Sequence, residues 1–170
     1  MSEVAANKIN QKPTNGAAKN GAAANGEIES FPKKWFCAAV SLTGTTFKVD
    51  AESPSDFADM LDRSSVAWVD FRTDDFDKEA SVAAAQFGFG EMIISSLTGE
   101  SRLTYQDFET EMGIKLPSVQ VRVLDVKAYP LLMLIKKNFI LTIHPLNVDR
   151  RFNRLRRYAD TVLRKIPVDA

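Results

Sequence analysis

The chain has 170 residues, of which 45% are hydrophobic, and its 22 basic side chains balance 22 acidic ones. This length fits one domain and a tail, and a zero net charge gives no overall attraction to nucleic acid. One cysteine excludes an internal disulfide, and no apolar run approaches the roughly 20 residues of a membrane-spanning helix. Residues 1–30 contain no apolar signal-peptide core, so we expect a soluble polypeptide.

Residues 1–30 differ in composition from the rest of the chain. They repeat Asn-Gly at a five-residue spacing, at Asn15-Gly16, Asn20-Gly21 and Asn25-Gly26, and carry almost no large apolar side chains. Ordering such a segment costs backbone entropy with nothing buried in return. We therefore predict a disordered tail at 1–30 and one folded domain at 31–170.

The first half of the domain alternates strands and helices. Strands are predicted at 34–42, 45–49 and 66–71. Between the last two, Ser53 and Pro54 are typical of a helix start. That helix is expected to reach residue 62 and to bury Phe57, Met60 and Leu61.

Two further helices are expected after residue 71. Thr73 can cap the first, whose apolar positions follow helical spacing at Phe76, Ala80, Ala83, Ala84 and Phe87. Gly88 is expected to end it, and a short helix follows at 91–97. Residues 98–115 have no clear period and are predicted to be a loop.

Period-two patterning begins at Ser118, with Val119, Val121 and Val123 on one face and Gln120 and Arg122 on the other. The apolar runs 131–135 and 139–143, joined by Lys136-Lys137-Asn138, then predict a buried β-hairpin.

A final helix is predicted from a cap at Asp149 to about residue 166. Its apolar stripe is expected to comprise Phe152, Leu155, Ala159, Val162 and Ile166. The resulting order is β-β-α-β-α-α-β-β-β-α. This order indicates an α/β protein, a three-layer α/β/α sandwich around a mixed sheet.

The residue types that usually support catalysis are sparse. His144, the only histidine, ends an apolar strand, and Cys37 lies within another, so both are interpreted as structural. No serine lies in a Gly-x-Ser-x-Gly turn. Gly88-Phe89-Gly90 is interpreted as a helix end and turn because it lacks the third glycine of a dinucleotide loop. We therefore do not expect an enzyme.

Two charged clusters have alternative interpretations. An acidic group could attract a divalent ion, or its members could complement a helix N-terminus, which we favour; it comprises Asp70, Asp74, Asp75, Asp77 and Glu79. A basic group on the last helix could form a solvated face, which we favour, or bind an anionic membrane or acidic partner; it comprises Arg150, Arg151, Arg154, Arg156, Arg157, Arg164 and Lys165.

Three segments resemble the N-terminal cytosolic domain of the CorA family of magnesium and cobalt transporters. They are the strand Trp68-Val69-Asp70, the helix end Phe87-Gly88 and the closing strand 137–144, which reads KNFILTIH. The element order matches over about residues 35–166. The resemblance implies an α/β/α sandwich, a homopentamer and a place on the cytoplasmic side of the cell membrane. It also implies Mg²⁺ or Co²⁺ as a regulatory ligand.

The chain departs from the family where regulatory ions bind. The family's paired acids correspond to Ser95 and Ser96, and hydroxyl groups are poor ligands for a hard cation. Glu91 and Glu100 flank this region and are the remaining candidate metal ligands. The family's stalk, its Gly-Met-Asn signature and its membrane helices do not occur in these 170 residues.

Two hypotheses follow from the sequence. The first is a regulatory, divalent-cation-sensing domain of a CorA-like transporter, whose partners are other copies of itself and divalent cations. The second is a stand-alone interaction module that uses the basic C-terminal helix on an acidic partner or a membrane surface. Neither hypothesis involves nucleic acid or a firmly expected cofactor.

Overall fold

The computed structural model describes residues 33–98 and 104–165. The strands are β1 (Trp35–Ser41), β2 (Thr46–Ala51), β3 (Ser64–Thr73), β4 (Tyr105–Asp107), β5 (Glu111–Arg122), β6 (Asp125–Lys136) and β7 (Phe139–Pro145). The helices are α1 (Ala58–Asp62), α2 (Phe76–Gln86), α3 (Glu91–Leu97) and α4 (Asp149–Leu163). Short 3-10 turns, Pro54–Phe57 and Leu146–Val148, lead into α1 and α4.

All seven strands form one mixed sheet in the order β2-β1-β3-β7-β6-β5-β4. The pairing of β3 with β7 is parallel, and the other five pairings are antiparallel. Strands β1, β3 and β7 lie in the interior of the sheet, which explains why their sequences are apolar on both faces.

Helices cover both faces of the sheet, as the predicted three-layer α/β/α sandwich requires. The larger core lies under α1, α2 and α3, where Val69, Leu134 and Leu141 meet the alanines of α2. The smaller core lies under α4, where Phe36, Ala38 and Val40 of β1 meet Ala159 and Leu163. The alternation of strand β1 supplies one row of side chains to each core.

The start of α1 is close to the prediction. Ser53 accepts a hydrogen bond from the backbone N–H of Ser55, and the Asp56 carboxylate accepts one from the N–H of Ser53. This reciprocal capping box favours the turn that begins at residue 54. Phe57 is buried, whereas Met60 and Leu61 are only partly buried.

The predicted cap of α2 at Thr73 is wrong. Asp75 is the N-cap, because its carboxylate accepts the backbone N–H of Lys78. The Thr73 hydroxyl instead accepts the N–H of Asp75 and donates to the Glu79 carboxylate. The predicted end of α2 is confirmed, since Gly88 has a left-handed backbone with φ of 69°.

The loop predicted at 98–115 is wrong in part. Strand β4 and the first residues of β5 lie within it, so the sheet has one strand more than the sequence predicted. Val123 is not a strand residue. It lies with Leu124 in the two-residue turn between β5 and β6 and has a φ of 54°.

The final helix also differs from the prediction at both ends and on its buried face. Asp149 is its first residue rather than its cap, because the preceding 3-10 turn makes Val148 the N-cap. Leu155 and Val162 are more than half exposed, although the stripe placed them in the core. From residue 152 onward, the buried positions of this helix are Phe152, Arg156, Ala159 and Leu163.

Some predictions concern residues outside the described ranges. They are the tail at 1–30, Glu100 and the helix end at Ile166. No helix in the described part of the chain has both the length and the apolar character that crossing a bilayer requires.

Candidate functional site

A buried ionic network joins the sheet to α4. Asp70 on β3 and His144 on β7 are 0% exposed, and Arg156 on α4 is 6% exposed. Arg156 places Nε 2.7 Å and Nη2 2.6 Å from one carboxylate oxygen, Asp70 Oδ2, in a charge-assisted ion pair. His144 Nε2 lies 3.3 Å from the same carboxylate.

Side chains next to this network determine the direction of its hydrogen bonds and hold the His144 ring in place. The Trp68 indole N–H donates to Thr142 Oγ1 at 3.0 Å, and the Thr142 hydroxyl therefore donates onward to Asp70. The His144 ring stacks on Phe152 of α4 with centroids 3.9 Å apart. Each contact ties a strand residue to its neighbour or to α4.

Asp70 is ionised in this environment despite complete burial. Desolvation alone would raise the pKa of its carboxyl group, and this is the largest single effect. The hydrogen bond from His144, the charge of Arg156 and the Thr142 hydroxyl together outweigh desolvation and lower the pKa of Asp70. The network is therefore a compensated buried ion pair that anchors α4.

His144 is buried, as predicted, whereas Arg156 does not lie on the exposed face where it was predicted. His144 and Cys37 are buried structural residues, as predicted, and burial raises the pKa of the Cys37 thiol to about 12. Arg156 was predicted on a solvated basic face, but it lies inside because Asp70 needs a cation. Asp70 and His144 are both 0% exposed, so neither side chain of this pair is open to solvent.

The members of the acidic cluster are distributed among separate contacts. Asp70 points to α4, and Asp75 caps α2 and pairs with Lys78 at 2.6 Å. Asp74 pairs with Lys34 at 2.5 Å. Among the described residues, no group of three or more His, Cys, Asp or Glu side chains is arranged to hold a metal ion.

The candidate metal ligands that are described lie on α3. Glu91 is exposed on its first turn, and Ser95 is exposed one turn later. The hydroxyls of Ser95 and Ser96 donate to the backbone carbonyls of Met92 and Ile93, at 3.2 and 2.9 Å. These hydroxyls therefore bond to their own helix, and Glu91 is the one acid that α3 offers.

The segments that carry the family resemblance lie together in the fold. Trp68, Val69 and Asp70 pair in parallel register with Ile140, Leu141 and Thr142. At the end of α2, Phe87 lies 5.4 Å from Phe139 between ring centroids, and the Lys136 ammonium donates to the Phe87 carbonyl. The segments with the family-like sequence are thus the ones through which β3, β7 and the end of α2 pack together. Their resemblance therefore reflects the fold.

Comparison with known proteins supports this fold. No family model matches the chain, and no curated protein does. The soluble domain of CorA from Methanocaldococcus jannaschii has a TM-score of 0.50 at 19% identity, over 78% of this chain and 48% of that one. The complete CorA magnesium transporter from the same organism has a TM-score of 0.51 at 19% identity, over 78% and 38% of the two chains.

These comparisons confirm the fold that the resemblance implied. The chain has the α/β fold of the CorA soluble domain and spans about half of that domain's chain, and less of the complete transporter. At 19% identity the likeness concerns the fold. What the chain does is therefore a matter for proposal.

Proposed function

We propose that the chain acts as the cytosolic, divalent-cation-sensing domain of a CorA-like magnesium or cobalt transporter and that it is not an enzyme. The observation that carries this proposal is the fold likeness to the CorA soluble domain over 78% of the chain. The closing strand 137–144 supports the proposal, because its sequence resembles that of the same family. This strand lies at the centre of the sheet. In this role the domain lies on the cytoplasmic side of the membrane.

The proposed ion site lies between copies of the chain. Hard cations prefer several carboxylate oxygens, and α3 supplies only Glu91. We infer that a second acid comes from Glu100 or from another copy, as in a homo-oligomer such as the family's pentamer. An ion that binds the closed assembly more tightly than the open one shifts the equilibrium toward the closed state.

A thermal-shift titration tests ion sensing. Mg²⁺ or Co²⁺ is added to the chain at constant ionic strength while the melting temperature is followed. A ligand that binds only the folded state stabilises it by about 2.7 kcal/mol at one hundred times its Kd, so the melting temperature should rise with ion concentration.

Variants identify the ligands. The double variant Glu91→Gln and Glu100→Gln should abolish the rise. The control variant Asp59→Asn, which removes an exposed acid from α1, should retain it. No rise with either ion, or a rise that the double variant retains, would contradict the proposed site.

The alternative, an interaction module that uses a basic C-terminal helix, gains less support from α4. Arg156 is committed to Asp70, and Arg164 donates to the Thr46 hydroxyl at 2.8 Å. Asp160 on the same helix pairs with Lys48 at 3.1 Å. The described part of α4 is thus occupied partly by contacts with its own sheet.

A further inference from the structure

A cavity lies between strand β2 and helix α4. Its volume is about 270 Å³, which is below the roughly 300–1,000 Å³ of pockets that hold drug-sized ligands. A space of this size fits a small ion or a headgroup. The residues that line it are Phe36, Lys48, Asp50, Asn153, Arg156 and Arg157.

The alternation of β2 places charged side chains on the β2 wall of this cavity. Lys48 pairs with Ala38 of β1. Asp50 pairs with Phe36, and residues paired across a ladder share a face of the sheet. Because Phe36 and Ala38 belong to the smaller core under α4, Lys48 and Asp50 also face that helix.

One buried guanidinium nitrogen at this cavity has no hydrogen-bond acceptor among the described residues. Arg156 is 6% exposed, and Asp70 occupies its Nε and Nη2 atoms. The Nη1 atom is buried and unpaired, and Asp50 Oδ1 lies 3.9 Å from it, beyond hydrogen-bond distance. A buried charged donor without an acceptor is costly, so such a donor is normally satisfied by a bound group. The Nη1 atom therefore indicates an acceptor that enters the cavity.

Two more cationic side chains line the same cavity. The Lys48 ammonium uses two of its three N–H groups, on the Asp160 carboxylate and the Arg157 carbonyl, each at 3.1 Å. The Arg157 side chain is exposed on the helix wall. Asp70 and Asp160 pair with members of this set but do not line the cavity. The three lining cations thus meet one lining carboxylate, that of Asp50, and positive charge is in excess.

We propose that this cavity binds a terminal phosphate group, of the free ion or of a lipid headgroup, through Arg156 Nη1, Lys48 and Arg157. Such a group carries about −1.5 to −2 charges at pH 7 and three acceptor oxygens, which match the excess positive charge and the three donors. Charge-assisted hydrogen bonds from guanidinium and ammonium groups are typical contacts of phosphate.

Asp50 competes with the phosphate for Arg156. Its side chain is 55% exposed, so it can turn toward solvent and leave room beside Nη1. Two like charges about 4 Å apart repel each other even in water. Removing the Asp50 charge should therefore strengthen phosphate binding, whereas it would weaken the binding of a zwitterion whose ammonium group needed Asp50.

This site shares no residue with the proposed ion site on α3. Its binding is therefore measured with a chelator and without Mg²⁺ or Co²⁺. A failed metal titration leaves the phosphate site standing, and a failed phosphate titration leaves the ion site standing.

Isothermal titration calorimetry with inorganic phosphate, at constant ionic strength set with chloride, tests the site in the whole 170-residue chain. We expect one saturable site per chain. The double variant Lys48→Gln and Arg157→Gln should raise the dissociation constant at least about tenfold, because it removes two charge-assisted hydrogen bonds. Asp50→Asn should lower the dissociation constant by about fivefold or more.

Two further variants make the test specific. The matched control, Arg154→Gln with Lys165→Gln, removes two charges from exposed positions outside the cavity and should bind phosphate like the wild type. Arg156→Lys keeps a cation beside Asp70 but lacks Nη1, so its folded form, checked by circular dichroism, should bind about tenfold more weakly. No saturable binding, an equal loss in the matched control, or weaker binding by Asp50→Asn would overturn the proposal.

Vesicles distinguish the two sources of the phosphate group. Cosedimentation is compared for phosphatidylcholine vesicles with and without phosphatidic acid, whose headgroup is a phosphate monoester. Binding that requires phosphatidic acid and is lost in the Lys48 and Arg157 double variant assigns the site to a lipid. Binding of inorganic phosphate alone assigns it to the free ion. Vesicle binding that the double variant retains, without binding of inorganic phosphate, would count against the cavity.

Discussion

Arg156 shows how one buried charge determines the position of a helix. Its guanidinium group lies against Asp70 and over the Phe36 ring, 5.2 Å from the centroid. Removing one partner of a buried pair leaves the other charge without compensation, which is costlier than losing an exposed pair. The arginine therefore contributes to stability chiefly by allowing Asp70 to remain ionised.

The first prediction concerns this pair. We expect Arg156→Leu to lower the free energy of unfolding by about 3–5 kcal/mol, because it leaves the buried Asp70 carboxylate without its arginine partner. Arg157→Leu, at the exposed neighbouring position, should change it by less than about 0.5 kcal/mol. Urea denaturation followed by circular dichroism measures both. Equal losses for the two variants would show that Arg156 is not a buried partner.

The second prediction concerns pH. The pKa of Asp70 is lower in the folded chain than its usual value of about 3.9, so its ionised form stabilises the fold at and above neutral pH. This contribution is fully present above the unfolded-state pKa and is lost as the pH falls toward the folded-state pKa. We therefore expect the free energy of unfolding to decline on acidification below about pH 5.

The variant Asp70→Asn should flatten this acid dependence while lowering stability at pH 7. The control Asp160→Asn should preserve most of the wild-type slope, because the Lys48 hydrogen bond that lowers the pKa of Asp160 lies at the surface. Unfolding curves at a series of pH values give the slopes. An Asp70→Asn slope equal to that of the wild type would contradict the assignment.

At the scale of elements, α3 depends on a strand residue for its N-terminus. Its N-cap is Gly90, whose backbone N–H donates to both carboxylate oxygens of Glu111 on β5 at 3.0 Å. A Cβ atom at position 90 would lie 2.5 Å from Glu111 Oε1, so a larger residue there would require the Glu111 carboxylate to shift. The carboxylate also complements the positive end of the helix dipole.

The third prediction tests this cap. Glu111→Ala should lower the free energy of unfolding by about 1 kcal/mol because the Gly90 N–H loses its acceptor. Glu111→Gln should cost less, since an amide oxygen can still accept the hydrogen bond. Glu109→Gln, an exposed position in the preceding turn, serves as the control and should be neutral. Equal stability of the wild-type chain and Glu111→Ala would mean that the cap contributes nothing.

Helix α4 shows why an amphipathic pattern alone does not determine which face of a helix is buried. Steps of three and four residues connect Phe152 to Ala159 through either Leu155 or Arg156, and both paths satisfy helical spacing. The choice depends on Asp70, which lies 86 residues earlier in the chain. An aspartate within the apolar strand 66–71 was the available signal, because a buried carboxylate requires a cationic partner.

At the scale of the whole molecule, the strand and helix patterns predicted most of the sandwich. The hairpin around Asn138 was predictable because local turn preferences determine it. Strand β4 was not, because its three residues are too few to show a period. The proposed ion site stays a prediction, because Glu100 lies outside the described residues and Glu91 is the one acid on α3.

The parallel pairing of β3 with β7 also has a consequence for how the chain folds. It is the one pairing that joins β2-β1-β3 to β7-β6-β5-β4, and its partners are separated by everything between Thr73 and Phe139. Closing so long a loop is slow, and contacts distant in sequence lower folding rates. Before β7 pairs with β3, that edge of the apolar strand β3 is unpaired and accessible to other chains. The time that nascent copies spend in this half-closed state, more than the stability of the finished sandwich, then sets their exposure to aggregation.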